Sequence, residues 1–170
     1  MSSHKVTIRP FRLCDSKSIA RHADNINVWN NTRDYLPNPY TEQDAVSFIT
    51  AVTSNDSTTD FVIDVDGEAV GAIGFIPQSD VQRFSAEIGY WLGEEFWNRG
   101  IATEALRFTV DHIFRETDMI HLFASTFGGN TASMRVLEKA GFRKVGVMHN
   151  AAVKNGRLVD MHYYEKVKDF

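Results

Sequence analysis

The turn between residues 93 and 106, with the sequence GEEFWNRGIATEAL, has the composition of an anion-binding site. A strand-like run, SAEIGYWL, leads into it and a helix-like run follows it. The first backbone N–H groups of a helix lack intrahelical partners, and with the helix dipole they favour an anion such as a pyrophosphate. Gly100 would let the backbone approach such a ligand closely, and Ala102 is too small to block it. The alternative is that Gly100 only allows the chain to turn.

The patterns around this turn predict a mixed α/β sheet with helices on both faces. Apolar periodicity indicates one strand, two helical segments and three strands, followed by helix, strand, helix and two strands. The pairs Asp66-Gly67 and Asn155-Gly156 are typical of hairpin turns. The strand–helix–strand unit around Gly100 should form a parallel pair with a right-handed crossover.

Two helix starts can be placed from short-range signals. Thr41 and Asp44 have the spacing of a capping box, which predicts a helix beginning just after Thr41. Asp15 is expected to cap an earlier helix that runs to about Asp24.

Composition narrows the class of protein. The 170 residues suit one domain, which we expect over residues 1–170 with its core at about 6–168, and the net charge of −4 argues against a nucleic-acid-binding surface. The single Cys14 excludes an internal disulfide, and the six histidines show no ligand spacing, so no metal is expected. The N-terminus has no signal-peptide pattern, and no stretch approaches the ~20 apolar residues of a membrane span. We therefore expect a soluble cytoplasmic protein that binds neither nucleic acid nor a membrane.

Two segments together resemble a known family. AEIGYWLGEEFWNRGIATEAL, followed about 30 residues later by NTASMRVLEKAGF, resembles the GNAT superfamily of acetyl-CoA-dependent N-acetyltransferases. The nearest resemblance is to its RimJ/RimL-like branch, whose known members acetylate protein N-terminal amines, and it extends over nearly the whole chain. It implies a GNAT fold: a single domain with a central, mixed, splayed sheet of six or seven strands and helices on both faces. It also implies acetyl-CoA as co-substrate.

The resemblance assigns a phosphate-binding loop. Gly100 and Ala102 match the last two defined positions of the family's [QR]-x-x-G-x-[GA] loop, and Trp97 stands where Gln or Arg is usual. We expect packing from Trp97 and not chemistry. The backbone N–H groups that the resemblance places on the CoA pyrophosphate belong to Asn98, Arg99, Gly100, Ile101, Ala102 and Thr103. The side chain of Arg99 would either add charge at an outer phosphate or remain a solvated surface group.

A second motif is implied on the next helix. By resemblance, Asn130 and Ser133 reach the pantetheine arm or a nearby phosphate. The alternative is that Asn130 only caps the helix and Ser133 is a small helix residue. An Asn can do both, because its carbonyl accepts from the backbone while its amide donates to a ligand.

The reacting end is also assigned by resemblance. The strand AEIGYWL should splay from the strand IHLFAS, leaving the backbone of Tyr90, Trp91 and Leu92 to bind the pantetheine arm. Glu87 is the candidate general base, because an attacking amine must lose a proton and a carboxylate in a buried strand suggests a wet cleft. The alternative for Glu87 is a solvent-facing edge or a salt bridge.

The proton donor for the departing thiolate is less well defined. Many relatives carry a Tyr seven residues after the motif Asn, and here that position is Leu137. Ser133, Tyr163 or water could replace it, and we take Ser133 as the second catalytic candidate beside Glu87.

The acceptor is predicted in class only. Trp29, Tyr35 and Tyr40 could form a substrate lid, although aromatic packing under a long loop explains them as well. The expected reaction is direct transfer to a primary amine, most plausibly a protein or peptide N-terminus. A polyamine or aminoglycoside acceptor and a non-catalytic acyl-CoA sensor are the alternatives. The family suggests a monomer or a homodimer.

Overall fold

The computed structural model describes residues 4–54 and 59–169. Its strands follow the predicted order, and three helices stand where two helical segments were predicted after the first strand. The elements are β1 (Val6–Pro10), α1 (Ser16–Ala23), α2 (Ile26–Asn30), α3 (Glu42–Thr53), β2 (Asp60–Val65), β3 (Glu68–Pro77), β4 (Ser85–Leu92), α4 (Ile101–Glu116), β5 (His121–Phe127), α5 (Thr131–Lys139), β6 (Arg143–Lys154) and β7 (Arg157–Val167). Short 3-10 turns precede α1, β4 and α4. None of the described helices is both long and apolar enough to cross a membrane.

The strands form one mixed sheet of seven strands in the order β1-β2-β3-β4-β5-β7-β6. The β4–β5 pair is parallel and the other pairs are antiparallel. Helix α4 connects the two parallel strands, as the sequence predicted for the unit around Gly100. The mixed α/β fold class is therefore confirmed, and the strand count is seven.

Two apolar cores lie on opposite faces of this sheet. Successive strand residues point to opposite faces, and β2 shows this directly, because Phe61 and Ile63 belong to one core and Val62 to the other. The larger core packs α4 and α5 against the sheet, and the smaller core packs α1 and α3. Both faces are covered by helices, as predicted.

The parallel pair is short. Strand β4 pairs with β5 only at Ser85–His121, Ala86–Leu122 and Glu87–Phe123. Beyond Glu87, β4 stays paired to β3 as far as Leu92, and β5 stays paired to β7 as far as Phe127. Each strand thus stays paired to its outer neighbour while β4 and β5 separate from each other. This separation is the splay that the family resemblance implied.

The two predicted helix caps have different outcomes. Thr41 forms the capping box: its hydroxyl accepts from Asp44 N–H at 3.2 Å, and the Asp44 carboxylate accepts from Thr41 N–H at 2.8 Å. Asp15 does stand at the N-cap of α1, but its side chain makes no capping hydrogen bond. The expectation for that side chain was wrong, because a stronger partner, Arg9, takes the carboxylate.

Arg9 joins the first two strands to the start of α1. Its guanidinium donates to both carboxylate oxygens of Asp15 at 2.8 Å and, through Nε, to Asp64 at 2.8 Å. Both carboxylates are buried, with Asp15 6% and Asp64 7% exposed. Burial by itself would raise the pKa of Asp15, but hydrogen bonds from Arg9 and from the backbone N–H of Arg12 outweigh it and leave the pKa below its usual range. Charge-assisted, nearly dry hydrogen bonds of this kind are among the strong ones.

Replacing Arg9 by Met should destabilise the fold by about 3 kcal/mol, because it leaves two carboxylates buried without their cation. The pKa of Asp15 is lowered in the folded protein, so the loss should be fully present above about pH 4, the ordinary pKa of an Asp, and should shrink as the pH falls below it. Urea unfolding at several pH values measures both effects. The matched control is Arg115→Met, which breaks an exposed pair with Glu116 and should leave the free energy of unfolding nearly unchanged. Equal losses in the two variants would contradict the role given to Arg9.

Candidate active site

A cleft of about 1070 Å³ passes through the sheet at the splay. On one side it is lined by α4 and α5, including Ile101 and Leu137, and on the other by the α1–α3 layer, including Phe48. The floor between the two sides is the open stretch of β4 and β5 past Glu87. The gap therefore connects two compartments that a continuous sheet would separate.

The predicted phosphate loop borders the α4–α5 side. Gly100 is the N-cap of α4 in the left-handed conformation, with φ 79° and ψ −4°, and Asn98 also has a positive φ of 61°. A Cβ atom at Gly100 would meet no neighbouring protein atom within 4 Å, so space remains above the loop. Among the described residues, no hydrogen bond uses the backbone N–H groups of residues 98–103. Free donors at a helix N-terminus beside an open cleft are suited to a pyrophosphate.

Most members of the predicted loop lie on the cleft. Its lining includes Asn98, Gly100, Ile101, Ala102 and Thr103. The side chain of Arg99 is outside this lining, and its guanidinium lies 5.6 Å from the centre of the Phe96 ring.

Trp97 packs against the fold, as expected, and it also makes a hydrogen bond that the sequence pattern did not show. Its indole Nε1 donates to the carbonyl of Leu92 at 2.7 Å, and its ring packs against the larger core. The indole thereby closes the turn between β4 and α4 and takes up the Leu92 carbonyl. The Leu92 carbonyl is therefore already occupied, so of the backbone groups predicted to bind the pantetheine arm, this one is not free.

Two cations near the loop were missed by sequence reasoning. Arg135 and Lys139 of α5 line the same side of the cleft. They lie one turn apart on α5, and either could neutralise a phosphate held by the loop. Their position on the cleft follows from the packing of α5, and their local sequence does not distinguish them from ordinary surface cations.

Asn130 and Ser133 meet at the start of α5. The Asn130 side-chain carbonyl accepts from Ser133 N–H at 3.1 Å, which caps the helix, and Asn130 is part of the cleft lining. The Ser133 hydroxyl lies 2.8 Å from the Tyr90 hydroxyl, which reaches across from β4. Burial raises the pKa of Tyr90 to about 12, with the Ser133 hydrogen bond acting in the opposite direction. Tyr90 keeps its phenolic proton throughout the neutral pH range.

Glu87 lies where the strands separate, on the face opposite Tyr90. Its carboxylate is ion-paired with Arg33, with Nη1 of Arg33 3.5 Å from Oε2 and Nη2 in contact with Oε1. The Ser125 hydroxyl of β5 is 3.4 Å from the same carboxylate and 3.2 Å from the guanidinium. Glu87 was expected either to face a wet cleft or to form a salt bridge, and it does both, because it pairs with Arg33 and lines the cleft. Its role as base stays a prediction.

The three aromatic substrate candidates lie at different depths. Tyr35 lines the cleft mouth and is 91% exposed, whereas Tyr40 lines it from below and is 6% exposed. Burial, together with the charge of Asp44, raises the pKa of Tyr40 to about 12. Trp29 is outside the lining and packs under the loop, where its indole donates to the carbonyl of Leu36 at 3.0 Å.

A buried lysine fixes the loop that carries Arg33. Lys154, at the end of β6, is 6% exposed, and its Nζ lies 3.5 Å from the centre of the Trp29 ring and 2.7 Å from Asp34 Oδ1. The β6–β7 hairpin is thereby attached to the segment 29–36 at the cleft mouth. Tyr163, an alternative acid in the sequence analysis, lines a separate cavity of about 400 Å³ and not this cleft.

The described residues contain no group of three His, Cys, Asp or Glu side chains that could hold a metal ion. The site is a deep groove with free backbone donors at one end and the Glu87–Arg33 pair at the other. Such a groove fits a long anionic ligand whose reactive end lies at the gap.

The family profile described as "Acetyltransferase (GNAT) domain" matches residues 5–143. The chain belongs to the GNAT acetyltransferase family. It is an N-acetyltransferase with acetyl-CoA as donor, and the resemblance identified from the sequence is confirmed.

Three curated relatives show the range of this similarity. The N-acetyltransferase p20 of Bacillus licheniformis, of uncharacterised activity, is 26% identical over 98% of this chain and 94% of its own length. YdaF of Bacillus subtilis (strain 168), named provisionally as a ribosomal N-acetyltransferase, is 34% identical over 61% of this chain and 56% of its own. Spermidine N(1)-acetyltransferase of Escherichia coli (strain K12) is 25% identical over 92% of this chain and 82% of its own length.

The solved structures agree with these relatives. RimJ of Mycobacterium smegmatis, in complex with CoA-disulfide, has a TM-score of 0.82 and 26% identity, over 95% of this chain and 81% of its own. This supports the RimJ/RimL-like branch for the present chain.

Replacing Gly100 by Val should weaken CoA binding at least about tenfold, which corresponds to ~1.4 kcal/mol. A β-branched side chain is strained at positive φ and would fill the space above the loop. Gly156→Val is the matched control, because Gly156 also has a positive φ (71°) and open space around its Cβ, but lies in the β6–β7 turn. Calorimetry with CoA measures the affinities, and equal affinity for the two variants would mean that the turn at Gly100 is only a turn.

Proposed function

We propose that the protein transfers an acetyl group directly from acetyl-CoA to the N-terminal amine of a protein or peptide, within a ternary complex. The observation that carries the proposal is the passage through the sheet. Free backbone N–H groups and the cations of α5 lie on the α4–α5 side, Glu87 lies on the α1–α3 side, and the two sides meet at the open end of β4 and β5.

The α4–α5 side supplies what acetyl-CoA requires. The N–H groups at 98–103 would hold the pyrophosphate, with Arg135 and Lys139 adding positive charge. The unpaired edge of β4 at Tyr90 and Trp91 would hydrogen-bond the amide-containing pantetheine arm as a neighbouring strand would. The same backbone donors could polarise the thioester carbonyl.

The opposite side supplies what the amine requires. A protonated amine has no lone pair for attack, so one proton must leave it, directly or through water. Glu87 pairs with Arg33 and can take that proton if the guanidinium moves aside. Arg33 is half-exposed, so it can move into solvent without losing a buried site. We propose that the entering amine replaces Arg33 at the Glu87 carboxylate.

Replacing Glu87 by Gln should lower kcat/KM about 100-fold while leaving CoA affinity unchanged, because the amide keeps the shape of the side chain and loses the base. The release of CoA thiol, followed by its reaction with DTNB, measures turnover. Glu95→Gln, on the exposed turn before α4, is the control and should keep full activity. Unchanged turnover of the Glu87 variant across the pH range would remove Glu87 as base.

The cleft mouth favours an acceptor that is the end of a longer chain. It opens beside the exposed Tyr35, so an amine could enter while the rest of a polypeptide stayed outside. The provisional ribosomal assignment of YdaF supports the same class. Asp44 and Asp60 also line this side, and burial raises the pKa of Asp60. These acidic groups and the spermidine-specific relative favour a polyamine as the second candidate.

A panel of acceptors separates these candidates. Peptides with a free N-terminus should exceed spermidine and an aminoglycoside in kcat/KM by at least about tenfold. The same peptides with a blocked N-terminus and an internal Lys are the control, and they should show no turnover above background. Mass spectrometry of the product locates the acetyl group. A preference for spermidine would overturn the peptide proposal and establish the second candidate.

A further inference from the structure

The reaction proposed above displaces Arg33 from the carboxylate that it holds. An amine that takes Glu87 leaves the guanidinium beside the reacting centre, and a guanidinium stays charged. The side chain of Arg33 is 50% exposed, so water can hydrate it, but a new ion pair would stabilise it further. An acceptor that carries an anion near its amine can supply that pair.

Arg33 already holds a carboxylate in the geometry that a ligand would need. Its two terminal nitrogens face the two oxygens of Glu87, with Nη1 3.5 Å from Oε2 and Nη2 in contact with Oε1. A guanidinium binds carboxylates from any source in this side-by-side arrangement. The Ser125 hydroxyl lies between the two groups, because it accepts from Arg33 at 3.2 Å and donates to Glu87 at 3.4 Å. Glu87 therefore keeps a hydrogen-bond partner when the guanidinium leaves.

The turn that carries Arg33 is fixed, so its guanidinium stays at the cleft mouth. The Leu36 N–H donates to the Arg33 carbonyl at 3.1 Å, and the Trp29 indole holds the Leu36 carbonyl at 3.0 Å. Asp34, which follows Arg33, is anchored to the buried Lys154 at 2.7 Å. The side chain of Arg33 can change rotamer while its backbone is tied through Asp34 and Leu36. An anion that meets the guanidinium must therefore lie within a few bonds of the reacting amine.

The other cations near the cleft have different positions or partners. Three cationic side chains belong to the described cleft lining, and two of them, Arg135 and Lys139, lie on the α4–α5 side with the phosphate loop. Lys154 is 6% exposed and committed to Asp34. Arg33 is thus the cation placed to meet an anionic group of the acceptor.

The carboxylates on this side attract a polycation less than their number suggests. Asp44 accepts from the backbone N–H of Thr41 at 2.8 Å and from its hydroxyl at 2.6 Å, as part of the cap of α3. Asp60 accepts from the Thr59 hydroxyl at 3.0 Å, and burial raises the pKa of Asp60. Both carboxyl groups therefore have partners within the protein.

We infer that the acceptor is an amine with a carboxylate close to it, and that Arg33 is the specificity-determining residue that binds this carboxylate. The amine replaces Arg33 at Glu87 while Arg33 takes the carboxylate of the acceptor. One ion pair within the protein is thereby exchanged for two between protein and acceptor. The inference rests on the proposed function, within which this class is a polypeptide that has Asp or Glu as its first or second residue. A free amino acid offers the same chemistry through its α-carboxylate.

Matched peptides with amidated C-termini test the preference. Peptides that begin with Ser-Asp or Ser-Glu should exceed their Ser-Asn and Ser-Gln counterparts in kcat/KM by about five- to tenfold, because one more charge-assisted pair forms. Arg33→Gln should reduce this ratio to about one, and Arg33→Glu should reverse it in favour of Ser-Lys peptides. Thiol release measures turnover. A general loss of activity cancels in the ratio, so a merely structural role of Arg33 would not change it.

Arg21→Gln is the matched control. Arg21 is also ion-paired, with Glu68, and its side chain is 60% exposed, but it lies outside the cleft lining. The wild-type ratio should persist in this variant. Equal turnover of acidic and neutral peptides by the wild type would overturn the inference, and so would a preference that survives in Arg33→Gln.

Two small acceptors, γ-aminobutyrate and its amide, separate this inference from the peptide proposal. They share a primary amine and differ in the carboxylate, so the acid should be preferred. If no peptide is acetylated and the acid is preferred, the peptide proposal fails and the inference stands. If peptides are acetylated without regard to an acidic residue, the inference fails and the peptide proposal stands. A higher kcat/KM for free glutamate than for the acidic peptides would support the inference with an amino acid as the acceptor. Turnover of spermidine alone, or of no acceptor with a carboxylate, would overturn the inference.

Discussion

The parallel pairing of β4 and β5 ends at Glu87 and Phe123, and the arrangement of the site depends on that ending. Both strands stay hydrogen-bonded to their outer partners, β3 and β7. The opening therefore removes only the hydrogen bonds between β4 and β5. Those unmade bonds leave the β4 backbone free for a ligand that offers amides of its own. They also place a passage where two separately packed faces of the sheet would otherwise be isolated from each other.

The two faces divide the chemistry between them. The α4–α5 face carries free N–H groups and cations, which suit an anionic donor. The α1–α3 face carries carboxylates and the half-exposed cation Arg33, which can give up its carboxylate partner to an amine. Because the compartments are built from different helices and different cores, changes at the acceptor mouth need not disturb the binding of the donor. This independence agrees with the presence of relatives that act on different amines.

Features that depend on residues close in sequence could be predicted. The turn at Gly100, the capping box at Thr41 and the order of strands all follow from short-range patterns. The pairing of Glu87 with Arg33 joins residues 54 apart, and that of Lys154 with Asp34 joins residues 120 apart, so no local pattern could reveal them. Asp15 shows the same limit, because its local context indicates a cap while Arg9 and Asp64 determine what it binds.

The open edge in the middle of the sheet has a further consequence for how the protein avoids unwanted association. Unpaired strand edges are usually found at the margins of sheets, where they can pair with other chains. Here the free edge is internal and short, and β3, β7 and the helices of both layers shield it from the approach of another strand. A slender ligand can enter this slot and a second polypeptide strand cannot easily do so. The protein thus keeps a backbone surface that is ready to bind without presenting it as a template for aggregation.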